Sequence, residues 1–246
     1  MRKRIIHRCR IWSFVWLFIG LVLTLTQASA GEFNPVLSIG DAAPKWKELP
    51  ATDGKTYAFD SFKESEVLVV VFTCNSCPYS VDYEDRIIEL TKHYSNQDKE
   101  QSDEKKTDAK NAKEKKPTNL AVVAINVNLV KEDLLPAMKE RAKKREFNFS
   151  YLFDETQQTA KDFGATFTPE FFVLNRDRKV VYMGALDDNT DAKKVSRHHV
   201  REAIEATLAG TKIEVAETVA IGCAVRYKRT RRKRKNKPTT GKPTAN

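Results

Sequence analysis

The sequence is poor in the residues that mark several specialised classes of protein. It has four cysteines, nine glycines and nine prolines among 246 residues. So few cysteines exclude a small domain held together by several disulfides, and so few glycines and prolines exclude a collagen-like or wholly disordered chain. Hydrophobic residues make up 41% of the chain, a proportion typical of one globular domain of ordinary size.

The N-terminal segment has the layout of a secretory signal peptide. Residues 2–10 contain five basic side chains, the run from Ile11 to Leu25 is mostly apolar, and Ala28-Ser29-Ala30 offers a small-residue cleavage site. We therefore expect residues 1–30 to be a signal peptide and the protein to be exported to the periplasm or cell envelope. The alternative is an uncleaved N-terminal anchor, for which the apolar run is short, because a spanning helix needs about 20 residues.

The net charge of +10 comes from the two ends of the chain. Residues 1–30 hold five basic and no acidic side chains, and residues 226–246 hold ten basic and no acidic ones, which leaves about −5 on residues 31–225. Blocks of like charge stay solvated, so we expect residues 226–246 to form a disordered tail. Such a tail would bind an anionic polymer or lipid surface in a salt-dependent way, whereas the export signal argues against a nucleic-acid partner.

A polar segment interrupts the middle of the chain. Residues 95–118 contain no large apolar side chain, and they have seven lysines against six acidic residues. Such a segment buries too little apolar surface to offset the entropy of ordering it. We expect a disordered insertion at 95–118 within a single domain spanning residues 31–225.

The hydrophobic pattern on either side of this insertion alternates between strands and helices. It predicts strands at 67–73, 120–127, 171–174 and 180–183, and helices at 79–94, 132–145 and 197–208. In the second helix, Leu134, Leu135, Met138 and Ala142 are expected to face inward. This order of elements predicts an α/β sandwich, in which a mixed sheet has helices on both faces.

Two smaller groups of residues receive structural interpretations. Trp46 and Phe59 are interpreted as core aromatics, and Glu84-Asp85-Arg86 as a solvated helix face.

The pair Cys74 and Cys77 stands between the first buried strand and the following helix. A thiolate at a helix N-terminus meets unpaired backbone N–H groups and the positive end of the helix dipole, so its pKa falls. The spacing puts the second sulfur on the same face, where it resolves a mixed disulfide. We therefore assign Cys74 as the nucleophile, with a lowered pKa, and Cys77 as the resolving thiol.

Two alternatives exist for this pair, a chance structural pair and half of a zinc site. Zinc would need a second knuckle or a histidine pair. The remaining candidates are Cys223, His93, His198 and His199, and the last two are adjacent on a helix, where they face different ways. We therefore expect neither a metal nor another cofactor.

Thr168-Pro169 stands just before a predicted strand. A cis bond there, beside a dithiol, would leave the preceding backbone free to pair with an extended substrate chain, whereas a trans proline would simply open the strand. Thr168 and Pro169 are therefore candidate substrate-binding residues. The neighbouring Glu170 either tunes Cys74 or is an exposed capping residue.

Cys223 is the third cysteine that signal cleavage would leave. It lies in a short apolar stretch, residues 220–225, which has reason to dock on the domain, and Gly222 permits a close approach or a positive φ. One interpretation is a buried, inert cysteine. A second is a third redox thiol that accepts the disulfide from Cys74 or guards it, and a third is an intermolecular disulfide.

With these motifs the chain resembles the thioredoxin fold, and within it the exported thioredoxin and redoxin (alkyl hydroperoxide reductase/thiol-specific antioxidant) branch. The resemblance covers about residues 37–210 and is carried by the cysteine pair, by Thr168 to Leu174, and by Ile39 to Pro44, Asp53 to Lys55, Phe62-Lys63, Phe153 to Thr156 and Phe163 to Ala165. It implies a thioredoxin-like three-layer sandwich with an N-terminal extension, redox roles for Cys74 and Cys77, and a cis bond at Pro169.

The chain departs from both parent patterns of this resemblance. Thioredoxins have Trp before the first cysteine and Gly-Pro between the two, where this chain has Thr73 and Asn75-Ser76. Peroxiredoxins have Thr or Ser three residues before the peroxidatic cysteine, where Val71 precedes Cys74. Neither a reduction potential nor a peroxidase motif therefore carries over.

These observations favour an exported, monomeric thiol-disulfide oxidoreductase. Its partners would be protein or small-molecule disulfides and an upstream electron donor. The alternatives are a redoxin-type thiol peroxidase and a non-catalytic module that binds an anionic surface through the tail.

Overall fold

The computed structural model describes residues 31–104 and 120–228, which form a five-stranded sheet with flanking helices. The sheet strands are β3 (Val67–Phe72), β4 (Leu120–Asn126), β5 (Ser150–Phe153), β7 (Glu170–Leu174) and β8 (Val180–Gly184). Two short pairs accompany it, β1 (Leu49–Pro50) with β2 (Thr56–Tyr57), and β6 (Phe167–Thr168) with β9 (Cys223–Ala224). The helices are α1 (Pro78–Glu104), α2 (Leu135–Arg145), α3 (Gln158–Asp162) and α4 (His199–Ala209).

The sheet order is β5-β4-β3-β7-β8, with β3, β4 and β5 parallel and β7 antiparallel to both neighbours. The parallel strands β3 and β4 therefore end at the edge of the sheet where β7 begins, so that Phe72 lies opposite Glu170. This edge carries the cysteine pair.

The central strand β3 is buried along its whole length because it separates two hydrophobic clusters. Its side chains alternate between the faces of the sheet. Val67, Val69 and Val71 pack with α1, α2 and α4, and Leu68, Val70 and Phe72 pack with α3 and the N-terminal extension. The predicted mixed sheet with helices on both faces is confirmed.

The N-terminal extension covers one face of the sheet with aromatic side chains. Trp46 and Phe59 are both buried, and their rings meet edge to face with centroids 4.8 Å apart. This is a favourable geometry for aromatic pairs. The interpretation of both residues as core is confirmed.

Helix α1 is longer than the sequence pattern predicted. It continues past Tyr94 to Glu104, so residues 95–104 of the expected disordered insertion are helical. Gln, Lys and Glu have good helix propensity, and lengthening an existing helix avoids the cost of nucleation. Residues 105–118 lie outside the described residues, as does the expected signal peptide, residues 1–30. No helix within the described part of the chain is long and apolar enough to cross a membrane.

The segment before α2 also differs from the expectation. Helix α2 begins at Leu135, not at residue 132, and a 3-10 turn, Lys131–Asp133, precedes it. Leu134 has extended backbone angles between these two elements, and its side chain is exposed rather than inward. Met138 is fully buried, as predicted.

The predicted solvated face of α1 is wrong for two of its three residues. Glu84 is buried, and its carboxylate accepts bonds from Arg141 at 2.6 and 2.9 Å and from Arg145 at 3.0 Å. Arg86 forms an ion pair of 2.8 Å with the buried Asp187. These ion pairs join α1 to α2 and to the segment after β8. The pattern of polar residues on one helix cannot predict such partners, because they lie far away in the sequence.

The chain returns to the domain after α4, which ends at Gly210 with a φ of 67°. Val225 is buried in the core, and the Tyr227 hydroxyl donates to the carbonyl of Ala165 at 2.6 Å. The predicted start of a free tail at Arg226 is therefore wrong, because the docked segment extends at least to Lys228. Residues 229–246 lie outside the described residues.

The buried ion pair gives a stability prediction. Arg141→Ala leaves one side of the Glu84 carboxylate without its bidentate partner, and we expect it to lower the free energy of unfolding by about 2 kcal/mol. The matched control is Arg176→Ala, which removes an exposed ion pair with Glu66 and should cost less than about 0.5 kcal/mol. Urea denaturation of both variants measures the difference, and equal losses would contradict the structural role of the pair.

Candidate functional site

Both cysteines of the pair lie at the sheet edge where β3 ends. Cys74 follows β3 after one residue, and Cys77 immediately precedes α1. The Val81 N–H donates to the Cys77 carbonyl at 3.1 Å, which makes Cys77 the N-cap of α1. Each cysteine is 2% exposed, and both are free thiols.

The two residues between the cysteines are held by a buried carboxylate. Asp133 Oδ1 accepts the backbone N–H groups of Asn75 at 2.7 Å and Ser76 at 3.0 Å, and its Oδ2 accepts the Ser76 hydroxyl at 2.5 Å. Asp133 is fully buried in the turn that follows β4. Sequence reasoning missed this residue, because it placed Asp133 on a helix and contacts across 57 and 58 residues leave no local signal.

Polar side chains from two other strands complete the hold on Asn75. Its side-chain amide donates to the Glu132 carbonyl at 2.8 Å, and its amide oxygen accepts the Tyr151 hydroxyl at 3.0 Å. Asn126 in turn donates to Tyr151 at 3.3 Å and to the Asp133 carbonyl at 3.1 Å. The loop between the cysteines therefore has a fixed geometry without the Gly-Pro of thioredoxins.

Thr168 faces both sulfurs from across the site. In its thiol form Cys77 donates to the Thr168 carbonyl at 3.1 Å, and Cys74 Sγ lies 3.6 Å from the Thr168 hydroxyl. The Thr168–Pro169 bond is cis. The expected substrate-binding pair is thus placed directly beside the dithiol.

Glu170 holds the backbone of residues 166–167, which lead into Thr168. It is buried, not exposed, and its carboxylate accepts the backbone N–H groups of Thr166 at 2.8 Å and Phe167 at 2.9 Å. Burial raises the pKa of Glu170, and these two bonds oppose that shift. Of the two interpretations considered, the geometry fits capping rather than tuning of Cys74.

The two thiols titrate as one coupled pair, with the charge favoured on Cys77. The hydrogen bond from the Cys74 thiol lowers the pKa of Cys77 most, and the Cys223 thiol and the Ser80 N–H lower it further, to about 4, against the effect of burial. The same bond between the cysteines, then burial and then the charge of Asp133, raises the pKa of Cys74. This order differs from the predicted lowered pKa at Cys74, because the hydrogen bond between the two thiols lowers the pKa of Cys77 and raises that of Cys74.

Cys223 is the third thiol at this site. In β9 it lies opposite Thr168 of β6, and its side chain forms a hydrogen bond with Cys77, whereas the sequence-based hypothesis paired it with Cys74. Cys223 is partly exposed. Among residues 31–104 and 120–228, no group of three or more His, Cys, Asp or Glu side chains is arranged to hold a metal ion.

The fold and the site together define a thioredoxin-like redox protein of the oxidoreductase type. The chain belongs to the redoxin family, whose family model matches residues 38–199, well over half of the chain. No curated protein matches the chain.

Several solved structures are similar to this chain in fold. A hypothetical protein of Sinorhizobium meliloti is 29% identical with a TM-score of 0.66, and the match covers 79% of this chain and 97% of that one. An uncharacterised conserved protein of Geobacillus kaustophilus is 27% identical with a TM-score of 0.67, over 80% and 96% of the two chains. A Chlorobium tepidum protein provisionally named thiol:disulfide interchange protein DsbE is 19% identical with a TM-score of 0.51, over 70% and 99%, and shows the shared fold.

The first site prediction concerns the charge of Asp133. Asp133→Asn keeps an oxygen for the two loop N–H groups but removes the negative charge that raises the pKa of Cys74. In a Cys77→Ser background, where Cys74 titrates alone, we expect this change to lower the Cys74 pKa by about one unit. Ultraviolet thiolate absorbance against pH measures it. Glu132→Gln, at the exposed neighbouring carboxylate, is the matched control and should leave the pKa in place.

The second site prediction concerns the location of the thiolate. As pH rises through about 4, the reduced protein should gain the absorbance of one thiolate, and it should keep that thiolate at neutral pH. Cys74→Ser, whose hydroxyl still donates to Cys77, should retain a midpoint well below that of an ordinary thiol, and Cys77→Ser should lose it. A low midpoint that survives in Cys77→Ser would place the charge on Cys74 instead.

Proposed function

We propose that this protein is an exported thiol-disulfide oxidoreductase that uses Cys74 and Cys77 as its redox dithiol. The proposal depends above all on one observation, the two free thiols at the start of α1 that both contact Thr168; the hydrogen bond from the Cys74 thiol favours the thiolate on Cys77. A thiolate held in this way is the reactive form for attack on a disulfide. Membership of the redoxin family supports a redox role.

The first step is attack by the Cys77 thiolate on one sulfur of a substrate disulfide. The substrate S–S bond breaks, a Cys77–substrate bond forms, and the other substrate sulfur leaves as a thiolate that takes up a proton. In this mixed disulfide Cys77 is no longer an anion that holds the Cys74 proton. Cys74 then loses its proton and attacks Cys77 Sγ, which forms the Cys74–Cys77 disulfide and releases the second substrate thiol.

Two electrons pass from the dithiol to the substrate in this sequence. An upstream thiol donor must return them by reducing the Cys74–Cys77 disulfide. Asp133 fixes the loop between the cysteines, so the two sulfurs keep their mutual geometry through the exchange. Thr168 touches both sulfurs, but its backbone pairs with β9, so an extended substrate chain would meet Thr168 only after displacing β9.

Reduction of insulin disulfides tests the proposal. Cys77→Ser should abolish turnover, whereas Cys74→Ser should retain attack and accumulate a mixed disulfide with the substrate, because the resolving thiol is gone. Non-reducing electrophoresis with mass mapping identifies the trapped cysteine. Substrate trapped on Cys74 in the Cys77→Ser variant would reverse the two roles, and insulin reduction at the unmutated rate in Cys77→Ser would refute the dithiol mechanism.

The same preparations distinguish the other two functions. Rapid consumption of hydrogen peroxide without insulin reduction would favour a redoxin-type thiol peroxidase. Inactivity in both assays, together with salt-dependent retention on an anionic matrix, would favour a surface-binding module that acts through its basic tail.

A further inference from the structure

Strand β9 occupies the backbone edge that the sequence predicts for a substrate chain. It pairs antiparallel with β6, with Cys223 opposite Thr168 and Ala224 opposite Phe167. The Thr168 hydroxyl also donates to the Cys223 carbonyl at 3.4 Å. The protein's own segment therefore lies where an extended partner would lie.

Gly222 makes this close approach possible. A Cβ atom built at position 222 would overlap the carbonyl group of Thr168 and would lie 3.0 Å from the Pro169 nitrogen. Any other residue at this position would push the strand away from Thr168. Of the two uses that the sequence suggested for Gly222, the structure shows the close approach.

The residues after β9 anchor the strand to the domain. The Val225 N–H donates to the Thr166 carbonyl at 2.9 Å, and the Arg226 N–H donates to the Asn128 side chain at 3.1 Å. Gln157 bonds to the segment at both ends of its amide, to the Arg226 carbonyl at 2.9 Å and the Lys228 N–H at 2.8 Å. Cys223 is thus held at the site rather than passing it in a free tail.

We propose that Cys223 is a third redox residue, which exchanges disulfides with Cys77 while β9 acts as a built-in substrate strand. The inference rests on the proposed dithiol function, and three contacts carry it. These are the hydrogen bond between the Cys77 and Cys223 thiols, the pairing of Cys223 with Thr168, and the 3.1 Å contact of Thr168 with Cys77. A substrate cysteine attacked by Cys77 would have to take up a similar position.

The exchange is balanced within the chain and needs no external oxidant. Once turnover has produced the Cys74–Cys77 disulfide, Cys223 loses its proton and its sulfur attacks Cys77 Sγ. The Cys74–Cys77 bond breaks, a Cys77–Cys223 bond forms, and the Cys74 sulfur leaves with the electron pair and takes up the proton. One disulfide and one thiol are present before and after, and Cys74 is free again.

The redox state of Cys77 controls this attack. In the reduced site the hydrogen bond to Cys77, together with burial, raises the pKa of Cys223 to about 11, so Cys223 stays protonated. When Cys77 enters a disulfide it carries no charge, and that restraint on the Cys223 proton disappears. Cys223 therefore holds its proton more firmly in the reduced site than beside an oxidised Cys77.

The experiment maps the disulfide that forms when only Cys77 and Cys223 remain. A full-length Cys9→Ser, Cys74→Ser protein is treated with oxidised glutathione, quenched in acid and analysed by peptide mass mapping. Because Cys223 is held beside Cys77, its effective concentration should exceed that of millimolar glutathione, and the internal Cys77–Cys223 disulfide should outnumber the Cys77–glutathione adduct by about tenfold. A glutathione adduct on Cys77 with Cys223 free would overturn the proposal.

Two further variants in this background serve as controls. Cys223→Ser should convert the product to the glutathione adduct, and Gly222→Ala, which keeps both thiols but displaces β9, should reduce the internal disulfide by about tenfold. An internal disulfide that forms equally well in Gly222→Ala would show that the pairing of β9 with Thr168 does not promote the exchange.

The insulin assay on the unmutated chain separates this inference from the proposed function. Insulin reduction without the internal disulfide would refute only the role of Cys223. An internal disulfide in a protein that does not reduce insulin would support the exchange and refute the proposed activity.

Discussion

The geometry of this site depends on the contacts of one residue, Thr168. Its hydroxyl lies 3.6 Å from Cys74, its carbonyl accepts from Cys77 at 3.1 Å, and its backbone pairs with Cys223. Three cysteines that are up to 149 positions apart in the chain therefore meet around one backbone segment. Glu170 makes this possible, because its carboxylate accepts the N–H groups of residues 166 and 167 and so fixes the path of β6 into the site.

The loop between the cysteines holds the two thiols in a fixed geometry in a different way from the Gly-Pro loop of thioredoxins. Gly-Pro would rigidify such a loop through its backbone, whereas Asn75-Ser76 makes it rigid through side chains that reach a polar cluster below the sheet edge. The cost is a buried carboxylate, Asp133, close to the sulfurs. Three hydrogen bonds from the loop compensate for burying that group, because each satisfies a donor that would otherwise be unpaired.

Patterns along the chain predicted the parts of this protein that depend on local chemistry. Strands β3, β4, β7 and β8 were predicted to within one or two residues, because buried β-branched runs and a turn-prone link mark them clearly. The same holds for the placement of Cys74 and Cys77 between a strand and a helix. The hydrophobic pattern of a sequence reports burial and turns, and burial and turns determine where these strands begin and end.

The errors have a common physical origin in contacts between distant segments. Glu84 was interpreted as part of a solvated helix face and Asp133 fell within a predicted helix, yet each is buried against partners 57 or more residues away. The thiolate was assigned to Cys74 from the position of the pair at a helix N-terminus, whereas the hydrogen bond from Cys74 and a third thiol brought in by β9 favour the charge on Cys77. The spacing of residues along the sequence does not predict that residue 168 pairs with residue 223.

The electrostatics of the site are a balance between these distant groups. The Ser80 N–H and the thiols of Cys74 and Cys223 favour an anion on Cys77, and by stabilising the thiolate they favour the reduced dithiol over the disulfide, which carries no charge. Asp133 acts in the opposite sense, since its charge disfavours a second thiolate at Cys74. The reduced dithiol therefore carries one negative charge rather than two at neutral pH. A dithiol in that state has a nucleophile ready for attack and a proton retained on its partner, and that proton is released only when the first sulfur has formed a bond.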